Sequence, residues 1–200
     1  MGTGNMEAKL DLSKTVVMLL QNNSTEVDIL GQVFQGFGVK GVRKSTSVDA
    51  AEGIVRHNEF DLLVIDAEMP GGGGFNFVQN LRRMHDSPNR LVPVILVSGH
   101  TPHRSVLRAR DCGANIVVTK PITPKVLFDR IVWLVKDVRQ FVECDGYVGP
   151  DRRHKAYGPP PGTKGRRKDD LNATKLGTPS GPDLMQDEID ALLKPRRAVT

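Results

Sequence analysis

Cysteine is nearly missing from this chain: Cys112 and Cys144 are the only two among 200 residues. Two isolated thiols support neither a disulfide framework nor a zinc site. Long hydrophobic runs are missing too, since none approaches the roughly 18 apolar residues of a membrane span. The first residues, MGTGNMEAKLDLSK, lack the apolar centre of a secretory signal and the amphipathic pattern of a mitochondrial one. Together these absences predict a cytoplasmic protein. His57, His85, His100, His103 and His154 show no metal-ligand spacing and read as surface residues. The Gly71–Gly74 run lacks the Lys-Ser/Thr of a phosphate-binding loop, which argues against nucleotide binding.

What is present suits one compact domain with extensions, for 38% of the residues are apolar. The net charge of +5 is uneven. Residues 1–145 carry 17 Lys and Arg against 16 Asp and Glu, whereas residues 146–200 carry 11 against 7. The basic character therefore belongs to the tail and not to a folded face.

Between Lys14 and Glu143, strand-like runs (TVVMLL, VKGVR, DLLVID, VPVILVS, NIVVTK) alternate with amphipathic stretches at Thr25–Phe37, Val48–His57, Phe75–His85, Pro102–Cys112 and Pro124–Phe141. In the last, Leu127, Ile131, Leu134, Val135 and Val138 recur at helical spacing. Gly38, Gly113 and the Pro88–Asn89 pair mark helix ends. Five such units predict an α/β fold, a doubly wound, flavodoxin-like parallel sheet in the order 2-1-3-4-5, with the site at the carboxyl ends of strands 1, 3, 4 and 5. The expected divisions are an N-terminal extension (1–13), the domain (14–143), a basic Gly/Pro-rich disordered linker (144–182), a short amphipathic helix (183–195) and the tail end (196–200).

The four strand ends offer Gln21 and Asn22, Asp66, Ser98 and Lys120. A carboxylate, a hydroxyl and a lysine in one crevice fit acceptance of a phosphoryl group, with the carboxylate as nucleophile and the other two balancing the transferred oxygens. The competing structural reading is an Asp66–Lys120 salt bridge that merely closes the sheet ends. Gly71–Gly74 predicts a loose loop beside Asp66, and Lys120–Pro121 is a candidate for a cis bond. Asn23 and Ser24 suit the cap of the first helix.

Residues 15–137 resemble the receiver domain of two-component response regulators, close in length and spacing to chemotaxis receivers. The matched stretches are VIDAEMP around Asp66, PVILVS ending at Ser98, and Cys112-Gly113-Ala114 through Thr119-Lys120-Pro121. The resemblance implies that Asp66 is the phosphoacceptor, Ser98 the switch hydroxyl and Lys120 the phosphate-pairing lysine, in a signalling module and not an enzyme. It also implies an acidic pair holding Mg²⁺ where this chain has Gln21 and Asn22. Val117 stands where an aromatic switch residue is common. Amide oxygens bring no charge, so Asp66 and Glu68 are left as weak Mg²⁺ candidates and phosphorylation is expected to be absent or impaired.

Near the end, Met185-Gln186-Asp187-Glu188-Ile189-Asp190-Ala191-Leu192-Leu193 resembles the N-terminal peptide by which the flagellar motor switch protein docks onto chemotaxis receivers. Asp183 is placed to cap a short helix and Pro195 to stop it, while Met185, Ile189, Leu192 and Leu193 form one apolar, partner-binding face. About three turns order only against a groove, either that of a partner or the domain's own. The resemblances imply as partners other receiver domains, a histidine kinase or motor switch components. Rival readings are a conventional regulator phosphorylated on Asp66 and a nucleic-acid-binding regulator with a basic tail. No helix-turn-helix or stacking platform accompanies that tail.

Overall fold

In a computed structural model the described residues are 10–137 and 139–152. Strands β1 (Val16–Leu20), β2 (Gly41–Ser45), β3 (Leu62–Asp66), β4 (Val94–Ser98) and β5 (Ile116–Thr119) form one parallel sheet in the order β2-β1-β3-β4-β5. Helices α1 (Ser24–Gly36), α2 (Val48–His57), α3 (Gly73–Arg83), α4 (His103–Asp111) and α5 (Pro124–Val135) make the crossovers. Every residue of β3 and β4 is buried, which is why these strands read as unbroken apolar runs.

The core has two halves. Val17, Leu19, Val64, Val97 and Val118 pack with Leu30 and Phe34 of α1 and with Leu127 and Ile131 of α5. Met18, Leu20, Ile65, Leu96 and Val117 pack with Val55 of α2, Phe77 and Leu81 of α3, and Val106 of α4. Successive strand residues point to opposite faces. Carried to the strand ends, that alternation sends Gln21, Asp66 and Lys120 to the α1–α5 face and Ser98 to the other.

The structure corrects the sequence reading after α5. That helix stops at Val135 instead of continuing to Phe141, and the Lys136 amide bonds back to the Val132 and Trp133 carbonyls. Arg139 then pairs with Asp137 at 2.6 Å and donates to the Asn115 carbonyl at 3.0 Å. Strands β6 (Phe141–Cys144) and β7 (Tyr147–Pro150) form an antiparallel hairpin turned by Gly146, whose φ is 81°. Residues 144–152 thus belong to the fold and not to the linker. The expected helix 183–195, with Met185, Ile189, Leu192 and Leu193, lies outside the described residues, as does Val138.

Tertiary partners explain why this stretch is ordered. Arg82 on α3 is only 1% exposed. It donates to the carbonyls of Gly113 (3.1 Å) and Arg90 (2.7 Å) and to Asn115 Oδ1 (3.3 Å), and the Phe141 ring lies 4.9 Å from its guanidinium. Burial pulls its pKa down to about 10, so the group is still a cation at neutral pH. Arg90 pairs with Glu143 of β6 at 2.6 Å, and Arg152, two residues past β7, pairs with Asp111 at 2.7 Å, stitching the hairpin to the domain. The hairpin also rests backbone to backbone on Gly113, where φ is 92° and a Cβ would collide with the Val148 carbonyl. Gly113→Ala is therefore expected to lower the unfolding free energy by about 2 kcal/mol, combining left-handed strain with loss of hairpin contact. In a chain ended at residue 139 the same substitution should cost only the strain, about 1 kcal/mol. Denaturant titration of the four proteins checks this double-mutant cycle; equal costs in the two backgrounds would contradict the contact.

Candidate functional site

The carboxyl ends of β1, β3, β4 and β5 meet as expected, and the loops after them decide the chemistry. Asp66 ends β3 and is 2% exposed. Its Oδ1 accepts from the Glu68 backbone N–H at 2.8 Å, and its Oδ2 lies 3.0 Å from Lys120 Nζ. Lys120 follows β5 and precedes Pro121 across a cis bond. Its ammonium also donates to Glu26 Oε2 at 2.6 Å. Burial alone would lower the Lys120 pKa, but the bonds it donates to Glu26 and Asp66, with their negative charges, outweigh it and hold the group above its ordinary value.

Glu26 was not legible as a site residue. Asn23 caps α1 by accepting from the Thr25 amide at 2.8 Å, which places Glu26 at the third helical position. A glutamate there commonly turns back to the cap. Here it reaches across to Lys120, 94 residues away in sequence. The signal in the sequence was an acidic residue in the first turn after a strand end that has none.

Gln21 and Asn22 part company. Asn22 is exposed, whereas Gln21 is wholly buried, with Nε2 donating to the Val64 carbonyl at 3.3 Å. Gln21 Oε1 is buried and meets no hydrogen-bond donor among the described residues.

Ser98 is 3% exposed on the opposite face, and the side chain that meets it is Glu68. The Ser98 hydroxyl lies 3.0 Å from Glu68 Oε1 and 2.6 Å from the His100 carbonyl, and the His100 amide donates to the same Glu68 oxygen at 2.6 Å. Glu68 is thus committed to the β4–α4 loop. The glycine run is not a loose loop: Pro70–Gly72 form a 3-10 turn, with Gly71 and Gly72 at φ 67° and 72°. At Gly74 a Cβ would collide with the Asp66 carbonyl, so α3 starts directly against the end of β3. Val117 is 3% exposed and packed in the α2–α4 half of the core.

The arrangement offers a buried carboxylate whose two oxygens are both engaged, with an ammonium as the nearest cation. Lys120→Met is expected to lower stability by about 3 kcal/mol, because it leaves Asp66 buried without its counter-charge. Glu26→Gln removes a half-exposed partner and should cost under about 1 kcal/mol. Since folded Lys120 holds its proton more tightly than the unfolded chain, with its ordinary value of 10.5, its contribution is full below that pH and fades as pH rises through the raised folded value. Urea titrations of wild type and Lys120→Met across pH 8–12 should converge at the alkaline end; a constant gap would contradict the pairing.

Comparison with known proteins agrees with this geometry. The chain is 35% identical over 71 residues to the phosphate regulon transcriptional regulatory protein PhoB of Escherichia coli, covering 36% of this chain and 30% of that protein. It therefore spans less than a third of the length of that relative. Chemotaxis protein CheY-3 of Vibrio cholerae is 23% identical over 126 residues, 63% of this chain and 95% of that protein. The solved CheY-like receiver domain protein from Methanospirillum hungatei superposes with a TM-score of 0.55 at 16% identity, covering 61% of this chain and 94% of that one. Vibrio cholerae CheY4 superposes with a TM-score of 0.55 at 19% identity, covering 60% and 97%. Residues 17–132, more than half of the chain, match the response regulator receiver domain, and with the β2-β1-β3-β4-β5 sheet the chain belongs to that family.

Proposed function

We propose that this receiver domain signals through protein–protein contacts, in chemotaxis, at the flagellar motor or in related two-component signalling, with Mg²⁺-dependent phosphorylation of Asp66 impaired. The observation that carries the reading is the charge at the strand ends. Receiver domains hold Mg²⁺ at the phosphorylation site, and Mg²⁺ calls for carboxylate oxygens with several waters retained. The residues here do not fit it. Gln21 and Asn22 bring no charge. Both Asp66 oxygens are engaged, Glu26 is paired with Lys120, and Glu68 is bonded to Ser98 and His100. Among the described residues no three His, Cys, Asp or Glu side chains are grouped to hold a metal ion. The small Val117 also leaves Ser98 without an aromatic partner on β5.

The second reading, a conventional regulator phosphorylated on Asp66, is favoured by the 3.0 Å Asp66–Lys120 approach. It requires Glu68 to leave Ser98 for the metal. Incubation with Mg²⁺ and a small phosphodonor, followed by intact mass, separates the two. The expected result is no phosphoryl adduct on the wild type, and an adduct on the Gln21→Asp, Asn22→Asp variant. Mg²⁺ in the millimolar range should leave the wild-type melting temperature unchanged and raise that of the variant, because a ligand stabilises only by binding the native state. A rise of several degrees in the wild type would return Asp66 and Glu68 to the role of metal ligands.

For the partner, α4 presents exposed His103, Arg104 and Arg108 with no acidic residue in its first turn, and Trp133 on α5 is 40% exposed. Basic positions and an exposed aromatic of this kind suit, respectively, the acidic flanks and the apolar face of a short amphipathic helix. The chain's own segment 183–195 offers both, with Met185, Ile189, Leu192 and Leu193 beside Asp187, Glu188 and Asp190. A coil of the 30 residues 153–182 would span roughly 27–33 Å, so docking onto its own domain would compete with capture of another receiver. Ile189→Ala with Leu193→Ala is expected to weaken partner binding about tenfold or more by stripping that face. Unchanged affinity in a titration against a chemotaxis receiver would remove the segment from the reading. A steep salt dependence of binding to duplex DNA would instead favour a nucleic-acid role for the basic tail.

A further inference from the structure

We propose that Glu68 is a built-in anion for the β4–α4 loop: its carboxylate takes the His100 amide and lies within reach of the Ser98 hydroxyl, and so sets the entry to α4 without phosphorylation. This rests on the reading of Asp66 and Ser98 given above.

Three observations combine. Glu68 Oε1 accepts from His100 N at 2.6 Å and lies 3.0 Å from Ser98 Oγ, whose single proton it shares with the His100 carbonyl at 2.6 Å. The Glu68 amide is itself tied to Asp66 Oδ1 at 2.8 Å, so the carboxylate extends from a backbone already anchored at the site. Gly99, between the two donors, makes room for it: a Cβ there would lie 3.3 Å from Glu68 Oε2 and 3.8 Å from Lys120 Cδ. The result is a continuous series of bonds from Lys120 through Asp66 and Glu68 to the loop that opens α4. Thr101 and Pro102 in that loop are buried, and the Pro102 carbonyl accepts from Ser105 and Val106 at the start of the helix. A carboxylate accepting a backbone N–H makes the stronger, charge-assisted kind of hydrogen bond. Because the anion is covalently part of the chain, its local concentration does not depend on a phosphodonor.

The His100 amide has Glu68 Oε1 at 2.6 Å as its nearer acceptor and Ser98 Oγ at 3.3 Å as a second, so losing the carboxylate should leave it only the longer bond. In the full-length protein, without metal or phosphodonor, amide hydrogen exchange followed by NMR should show a protected His100. Glu68→Ala should accelerate that exchange roughly tenfold. Glu68→Gln keeps a neutral acceptor and should fall between. Gly99→Ala, which crowds the carboxylate without removing it, should also accelerate exchange. The Ile95 and Val97 amides at the centre of β4 should stay as in the wild type, showing that the fold is kept. Unchanged His100 exchange in Glu68→Ala overturns the proposal. Adding Mg²⁺ and a small phosphodonor separates this proposal from the preceding one. A phosphoryl adduct on the wild type with His100 exchange unchanged would sink impaired phosphorylation and support Glu68 as the resident anion. An adduct that alters His100 exchange would overturn the independence of the loop from phosphorylation.

Discussion

The site is built on the two-sided burial of a parallel sheet. Each strand residue is committed to one helix layer, and the commitment continues through the last residue of every strand. Asp66 and Lys120 therefore fall on the α1–α5 side of the sheet and meet, while Ser98 falls on the other side. A direct Asp66–Ser98 contact is not what the strands offer; the bridge between the layers is the loop after β3. Glu68 provides it, with its amide on Asp66 and its carboxylate on Ser98 and His100.

The charge balance of the crevice follows from the same placement. A buried carboxylate such as Asp66 is costly unless paired and hydrogen-bonded. Lys120 supplies the pairing and the Glu68 amide the hydrogen bond. Where β1 ends in amides, α1 restores a negative charge through Glu26, and that charge goes to the ammonium of Lys120. The crevice is thus organised around a lysine shared by two carboxylates. A resident ammonium of this kind leaves less for a divalent cation to neutralise, which links the amide substitutions to the proposed loss of metal-dependent chemistry.

The hairpin β6–β7 closes the domain at the end of the sheet away from this crevice. It covers Arg82, whose guanidinium is spread over carbonyl oxygens and the Phe141 ring. The close approach of Gly113 and Gly149 lets two backbones touch where any side chain would hold them apart. The hairpin lies beyond residues 17–132, the part that matches the receiver family. It lengthens the ordered domain without altering the strand-end chemistry.

The sequence alone determined the five strands, their order, the cap at Asn23 and the strand ends at which Asp66, Ser98 and Lys120 stand, because buried parallel strands write continuous apolar runs and their ends are countable. It also showed that Gln21 and Asn22 carry no charge. Only the tertiary structure decided that Glu26 would reach Lys120, that Glu68 would turn to Ser98 and His100, and that the glycine run would be a tight turn under Asp66. Those contacts join residues 94, 30 and 32 positions apart, and no local pattern encodes which of several carboxylates is in range. The hairpin was hidden for a related reason. Phe141–Pro150 has too little apolar periodicity to announce itself, and it is ordered by Arg82, Arg90, Asp111 and Gly113, partners supplied by the already folded domain.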